Sequence, residues 1–366
     1  MKFFTQLGPA VRTAVLFVIF QVLLVSVAAA QGTVVNEVVR GKSLENTVTK
    51  ENPDRNVAVY LPPSYTSSPE RRYPVLYLLH GIVDTEKTWL RAWFEGNEGF
   101  DTIPSLMDKG IQGSAFGEFI VVMPDGRTNW FGSFYVNSSV TGNWDDFFSK
   151  ELISFIDLKY RTIADADHRA VAGHSMGGYG ALSLGMKHPE VFRTVYAMNP
   201  AVMDWGGDLT IATPSFANVL KAKTREELMS TGNLYDVGLI TIAQAFSPNP
   251  EKPPFYCDLP YKLEGGRMVP NEPAFTKWAE RSPIRMVREY RSNLAKLEGL
   301  KFDSGHDDEF RFIPVNSRRL SSELTNNGIE HFFEEYNGDH RNRLWGRHGR
   351  LYTEVMPFVW ARIEAR

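Results

Sequence analysis

Ser175 lies in a sequence pattern that is typical of nucleophilic serines. Residues 173–177 read "GHSMG", and they join the apolar run "RAVA" to the helix-like stretch "GYGALSLGMKHP". A sharp turn from strand to helix exposes the serine hydroxyl at the end of a sheet. Side chains at the flanking positions would collide with the strand or the helix, which explains the glycines. We therefore predict that Ser175 is a nucleophile; the competing interpretation is a glycine-rich packing turn with an inert serine.

A serine hydroxyl becomes a strong nucleophile only when a base removes its proton and a third group orients that base. In a strand-turn-helix arrangement of this kind the partners follow in the chain order serine, acid, histidine. Among the histidines, His340 directly follows the predicted strand "EHFFEEY" and a Gly-Asp turn, so it is the predicted base. His348 is the second candidate, and a solvated loop histidine is the alternative interpretation of His340.

Three aspartates that follow the preceding predicted strand are candidates for the acid. They are Asp303, Asp307 and Asp308 in "KFDSGHDDEF". One of these carboxylates would accept a hydrogen bond from the imidazole and stabilise the imidazolium that forms. The spacing does not choose between Asp307 and Asp308. The segment "GHDDEF" matches no standard zinc or calcium loop, so we expect no metal site here.

The oxyanion of an acyl-transfer reaction needs two backbone amides that point at the developing charge. One is the amide directly after the nucleophile, which is Met176. The other is expected in the loop after "LLHG", where Ile82 is the predicted donor.

Apolar runs that alternate with amphipathic segments must position these residues. The runs "YPVLYLLHG", "FIVVMPDG", "HRAVAGHS" and "RTVYAMNP" predict buried strands, and "DFFSKELISFIDLKY" has the spacing of a helix. Strands that alternate with helices predict an α/β fold with a mostly parallel central sheet and helices on both faces. The rhythm fails between about 200 and 283, where proline-rich residues indicate an inserted, lid-like segment. Without repeats or a linker, we expect one domain that carries this insertion.

Residues 1–30 have a different character from the rest of the chain. Lys2 and Arg12 precede an apolar run from Ala14 to Val27, and three alanines follow it. This order predicts a signal peptide, and the run is short for a membrane span of ~20 residues. We expect residues 31–366 to be exported, as a secreted or periplasmic protein without a stable membrane span; an uncleaved anchor is the alternative. Cys257 is the only cysteine, so no internal disulfide can form.

Several segments together resemble one family of α/β-hydrolases. This is the esterase family that includes feruloyl esterases, S-formylglutathione hydrolase (esterase D) and the mycolyltransferases of the antigen 85 type. The resemblance covers roughly residues 35–200 and 285–365, and it rests on the segments "VAVYLPPSY", "RRYPVLYLLHGI", "VVMPDG", "DDFFSKELISFIDLKYR", "VAGHSMGGYGAL" and "NGDH".

The resemblance implies an α/β-hydrolase fold and a Ser-His-Asp esterase that needs no cofactor. The family carries its acid in a "G-x-x-D" pattern, and the matching position here is Asp308. The "HG" loop of the family also supports Ile82 as an oxyanion donor. The chain departs from the family in its longer segment 200–283. It also has an arginine cluster after His340, which would either bind an anionic substrate group or form a solvated basic face: Arg341, Arg343, Arg347 and Arg350.

These observations favour an exported serine carboxylesterase that acts on a small-molecule or polysaccharide ester. Aromatic residues of the insertion suit sugars and cinnamoyl groups, namely Trp205, Phe216, Phe255 and Tyr256. A net charge of −3 gives no indication of nucleic-acid binding. The alternatives are an acyltransferase of the mycolyltransferase type, a siderophore-lactone esterase and, as a different class, a non-catalytic carbohydrate-binding protein. The oligomeric state and the exact ester do not follow from the sequence.

Overall fold

A computed structural model describes residues 31–92 and 99–364 of the chain. The predicted signal peptide, residues 1–30, lies outside these residues. The strands are β1 Thr33–Arg40, β2 Asp54–Leu61, β3 Val75–Leu79, β4 Ile120–Pro124, β5 Asn137–Ser138, β6 Gly142–Asn143, β7 Arg169–His174, β8 Thr194–Met198, β9 Tyr261–Glu264, β10 Arg267–Pro270, β11 Gly299–Gly305 and β12 Phe332–Tyr336.

A central sheet of eight strands has the order β1-β2-β4-β3-β7-β8-β11-β12. The pairs β1–β2 and β2–β4 are antiparallel, and all the other neighbours in this sheet are parallel. The prediction of a mostly parallel sheet is therefore confirmed. Parallel neighbours place their carboxyl ends at the same edge, so the loops after β3, β7, β8, β11 and β12 lie on one side of the molecule.

The helices cover both faces of this sheet. They are α1 Ile103–Gln112, α2 Trp144–Asp146, α3 Leu152–Lys159, α4 Met176–Lys187, α5 Pro214–Lys221, α6 Arg225–Met229, α7 Leu234–Phe246, α8 Ala274–Glu280, α9 Pro283–Glu289, α10 Arg291–Leu294, α11 Phe312–Asn326 and α12 Met356–Ile363. Two π-helical segments, Phe147–Glu151 and Leu351–Val355, lead into α3 and α12, and Lys42–Leu44 and Glu86–Leu90 form 3₁₀ turns.

The continuous apolar runs of the strands form two hydrophobic layers. Successive side chains of a strand point to opposite faces, and in β3 Val75 and Tyr77 join one cluster, whereas Leu76 and Leu78 join the other. Helices α1 and α12 cover the second cluster, and α3, α4 and α11 cover the first. Burial on both faces explains why these strands read as unbroken apolar runs in the sequence.

The segment 200–283, all of which the structure describes, adds no strand to the central sheet. It folds into α5 to α8 and the hairpin β9–β10, which the sequence analysis did not predict. Phe216, Ile240 and Trp278 of this segment belong to the same hydrophobic cluster as Val171 of the sheet. The segment therefore packs on the sheet domain, whereas a lid-like movement stays a prediction. Within the part of the chain that the structure describes, no helix is long and apolar enough to span a membrane.

Candidate active site

Ser175 occupies a strained turn between β7 and α4. Its φ is 59° and its ψ is −118°, a conformation that residues with a side chain rarely adopt. A Cβ atom on Gly173 would lie 2.3 Å from the carbonyl oxygen of Gly177, and one on Gly177 would lie 2.2 Å from that of Leu79. The two glycines are therefore required by close backbone contacts, as the sequence pattern predicts. The amide of Ser175 donates to Met198 O at 3.0 Å, which ties the turn to the neighbouring strand β8.

His340 and Asp308 form a buried hydrogen-bonded pair. His340 Nδ1 donates to Asp308 Oδ2 at 2.7 Å, and the residues are 1% and 0% exposed. The other oxygen of Asp308 accepts the amide of Phe310 at 2.8 Å. This arrangement leaves Nε2 of the imidazole as the nitrogen that can take a proton.

The other candidates for acid and base lie elsewhere. The side chain of Asp307 is 66% exposed and pairs with His306. Asp303 is buried, but its carboxylate binds Arg350 and Tyr196 rather than a histidine. His348 is exposed. The structure thus places Asp308, and neither of the other two aspartates, against the imidazole of His340.

Burial determines the protonation of the Asp308–His340 pair. Desolvation lowers the pKa of His340, and it raises the pKa of Asp308. Both shifts disfavour the charged forms of the two groups at this buried position. The imidazole of His340 is therefore uncharged at neutral pH, which is the form that can act as a base.

Two buried residues that the sequence analysis did not assign to the site hold the main chain of His340. His174 Nε2 donates to the His340 carbonyl oxygen at 2.7 Å, and Asn199 Nδ2 donates to the same oxygen at 3.0 Å. The other end of the Asn199 carboxamide accepts the amide of Gly305 at 2.6 Å. Asn199 therefore connects the loop of the acid with the loop of the base. A polar residue directly after the apolar strand β8 is the one signal in the sequence that marks it.

The loop after β3 brings Ile82 close to Ser175. A Cβ atom on Gly81 would lie 3.4 Å from Ser175 Cβ. His80 Nε2 accepts the amide of Gly126 at 2.8 Å, so its Nδ1 carries the proton and donates to Gly81 O at 2.8 Å. Because Gly81 C=O and Ile82 N–H belong to one peptide group, His80 orients the Ile82 amide.

The two predicted oxyanion donors lie at the same cavity as the serine. Ile82, Met176 and Ser175 all line it. Within residues 31–92 and 99–364, neither the Ile82 amide nor the Met176 amide donates a hydrogen bond to a protein acceptor. Both amides are therefore available to an oxygen atom of a ligand.

The cavity beside Ser175 has an apolar lining. Apart from Ser175, the only polar side chain among its lining residues in the described structure is that of Tyr235, whose hydroxyl donates to Asp208. Phe310 lines the cavity, and its ring centroid lies 4.9 Å from that of His340. More than half of the lining comes from the segment after β8 and before α8, namely Ala201, Met203, Leu209, Leu234, Tyr235, Gly238, Leu239 and Ile242.

The structure corrects two expectations about substrate contacts. Phe216 is buried, and the partly buried Trp205 stacks on Phe275 and Trp278 at centroid distances of 4.9 and 5.9 Å, so these rings pack within the insertion, and neither lines the cavity beside Ser175. Arg350 is also buried, where it binds Asp303 and Glu334, and it is not part of a basic face.

Arg341 lies at a second pocket. Together with Asp84 and Trp345, Arg341 lines this pocket, which His174 also lines.

Among the described residues, no group of three or more histidine, cysteine, aspartate or glutamate side chains could hold a metal ion. Cys257 is buried and free, and burial raises the pKa of its thiol, which keeps it protonated.

The chain is similar to known esterases. Residues 49–348 match the model of the Esterase family. An esterase of Mycobacterium tuberculosis is 37% identical over 134 residues, which are 36% of this chain and 26% of that protein. An endo-1,4-beta-xylanase/feruloyl esterase of Xylanibacter ruminicola is 36% identical over 137 residues, which are 37% of this chain and 18% of that protein. The matched region is thus only a small part of each relative's length.

A solved ferulic acid esterase has a similar fold. It superposes with a TM-score of 0.62 at 24% identity and covers 91% of this chain and 99% of its own. The order of the central strands, the strained turn at Ser175 and the match to the family model agree with one another. The chain therefore belongs to the Esterase family and has the α/β-hydrolase fold.

Proposed function

We propose that this chain is an exported serine carboxylesterase that hydrolyses carbohydrate-linked esters or esters of aromatic acids. The observation that carries the proposal is the buried hydrogen bond of 2.7 Å between His340 Nδ1 and Asp308 Oδ2, next to Phe310, which lines the same cavity as Ser175. A histidine that is oriented by a carboxylate and kept uncharged by burial has the properties of a general base.

In the proposed mechanism, His340 Nε2 takes the hydroxyl proton of Ser175 while Oγ attacks the ester carbonyl carbon. The amides of Ile82 and Met176 bind the oxyanion, and the loss of one such donor typically costs ~10²- to 10³-fold in rate. His340 then donates its proton to the leaving alcohol. A water molecule, deprotonated by His340, hydrolyses the acyl-enzyme in the second half of the reaction. Asp308 holds the imidazole in the tautomer that both halves need.

Two further observations support the proposed substrate class. The names of the similar proteins include feruloyl esterase and ferulic acid esterase. The apolar cavity beside Ser175 suits an uncharged acyl group. Export rests on the sequence of residues 1–30. It would be tested by expression of the full chain in a secretory host, followed by N-terminal sequencing of the protein in the medium or periplasm, where a start near residue 31 is expected.

Ester hydrolysis by residues 31–366 tests the proposal directly. The substrates are p-nitrophenyl acetate, methyl ferulate and acetylated xylan, and Ser175→Ala is the control. Hydrolysis that disappears in the folded Ser175→Ala variant is the expected result. A folded wild-type protein that hydrolyses none of these esters and does not react with a fluorophosphonate would instead favour a carbohydrate-binding protein.

A further inference from the structure

Gly238 is a glycine in the middle of the buried helix α7. Glycine is among the least favourable residues in a helix interior, because it loses the most backbone entropy and contributes no side chain to packing. The residue is buried, and its φ is not positive. Neither solvent exposure nor backbone conformation therefore explains a glycine at this position.

Close packing does not explain this glycine either. Other glycines inside helices of the described structure have no room for a side chain. A Cβ atom would lie 1.9 Å from the ring of Phe116 at Gly110, 2.4 Å from the ring of Tyr135 at Gly180, and 2.3 Å from Val195 at Gly185. At Gly238, by contrast, the only heavy atom of the described residues within 4 Å, apart from the neighbouring residues and the backbone of the helix itself, would be Ile82 Cδ1, at 3.9 Å, which is an ordinary contact.

The space that a side chain at position 238 would enter is the cavity beside Ser175. Gly238, Ile82 and Ser175 all line this cavity. Ile82 is also the residue whose amide is the proposed oxyanion donor. A side chain on Gly238 would therefore enter the cavity that Ser175 lines.

We propose that Gly238 determines the acyl specificity of this chain by keeping open a cavity for an apolar acyl group larger than acetyl. The inference rests on the proposed function, because it assumes that Ser175 becomes acylated. The acyl group is uncharged, since the described lining offers no charged side chain that could pair with it.

The inference is tested with p-nitrophenyl acetate, butyrate and hexanoate, on wild-type protein, Gly238→Ala and Gly238→Leu. The measured quantity is the ratio of kcat/KM for hexanoate to kcat/KM for acetate. This ratio is independent of the fraction of active protein in a preparation. We expect the wild type to prefer hexanoate, since a buried methylene group contributes about fourfold to binding. In Gly238→Leu, which fills part of the cavity, we expect the ratio to fall by about tenfold or more.

A second variant and the rates of inactivation by two inhibitors keep the test decisive if Gly238→Leu does not fold. Gly238→Ala introduces only the 3.9 Å contact with Ile82 Cδ1, and we expect its ratio to fall by about two- to threefold. The second-order rate constants of a hexyl and a methyl fluorophosphonate should show the same change in preference, because these inhibitors place the alkyl group in the same cavity.

Two results would overturn the inference, and they differ in what else they affect. If the wild type hydrolyses the esters and both folded variants keep its hexanoate-to-acetate ratio, Gly238 does not determine specificity, and the proposed function is unaffected. If the folded wild type hydrolyses none of the esters, the proposed function fails, and this inference fails with it.

Discussion

His174 Nε2 donates a hydrogen bond of 2.7 Å to the main-chain carbonyl oxygen of His340. The residue before the proposed nucleophile thus binds the backbone of the proposed base. Burial lowers the pKa of His174, so the ring stays neutral, and Nε2 carries the proton because a carbonyl oxygen only accepts. The centroids of the two imidazole rings lie 4.6 Å apart. His174 therefore links β7 to the loop that carries His340, and we regard it as a positioning residue.

We predict that His174→Ala lowers kcat by roughly 10- to 100-fold, because a small displacement of a catalytic group is costly. His174→Gln keeps a side-chain N–H donor and should recover part of this loss. The measurement is kcat per reactive serine, with reactive serine counted by fluorophosphonate titration. A purely structural role would change the number of reactive serines but not kcat per serine, and that outcome would contradict the prediction.

Substitution of Asn199 tests separately how the loops that carry Asp308 and His340 are held together. In Asn199→Ala, the buried amide of Gly305 loses its acceptor and the His340 carbonyl loses a donor, so we expect the free energy of unfolding to fall by about 1–3 kcal/mol. We also expect kcat to decrease. The measurements are urea unfolding and ester hydrolysis. Asn293→Ala is the matched control, since its carboxamide donates to the end of α4, away from the cavity; equal effects of both variants on kcat would argue against a role of Asn199 in the site.

The sign of the pKa shift at His340 predicts the pH dependence of hydrolysis. The proposed base works in its neutral form, so kcat/KM should fall when the pH falls through the pKa of His340. Burial lowers this pKa, and the acid limb should therefore have its midpoint below the ordinary histidine value of about 6.5. A pH profile of kcat/KM with a buffer-independent midpoint at or above that value would contradict the protonation state described for the Asp308–His340 pair.

Substitution of Arg350 tests whether this arginine stabilises the fold or binds substrate. Its guanidinium lies in the core against Asp303, which has no exposed surface. Arg350→Met would leave this carboxylate buried without its cation, so we expect a loss of about 3–5 kcal/mol in the free energy of unfolding. Arg347→Met, at an exposed position, should have no comparable effect. If folded Arg350→Met is as stable as wild type and only KM for anionic esters rises, the expectation of a substrate-binding arginine cluster would be restored.

Much of the fold could be predicted because strands that are buried on both faces consist of consecutive apolar residues. The strands β3, β4, β7 and β8 are unbroken apolar runs, and the glycines around Ser175 reflect backbone contacts that exclude a Cβ atom. Asp308 could not be chosen from spacing, because Asp307 is its neighbour and only the turn after β11 decides which carboxylate points inward. The G-x-x-D pattern of the family indicated Asp308, and this is the aspartate that His340 hydrogen-bonds in the structure.

The remaining residues of the site depend on contacts between distant parts of the chain. Asn199 and His340 are far apart in sequence, and no local pattern indicates that their loops meet. The same limitation applies to the aromatic residues of the insertion. The sequence shows that Trp205 and Phe216 are suited to stacking, but not that their partners are Trp278 and Tyr261 of the same segment. Local composition cannot separate a ring that fills a core from a ring that faces a ligand.

The most direct test of the account is to locate the residue that a fluorophosphonate modifies. Wild-type protein would be labelled, digested and mapped by mass spectrometry, together with folded Ser175→Ala and His340→Ala variants. We predict a single phosphonate adduct on Ser175, no adduct in Ser175→Ala, and much slower labelling of His340→Ala because the base is missing. An adduct on another residue, or labelling of His340→Ala at the wild-type rate, would contradict the assignment of Ser175 and His340 as nucleophile and base.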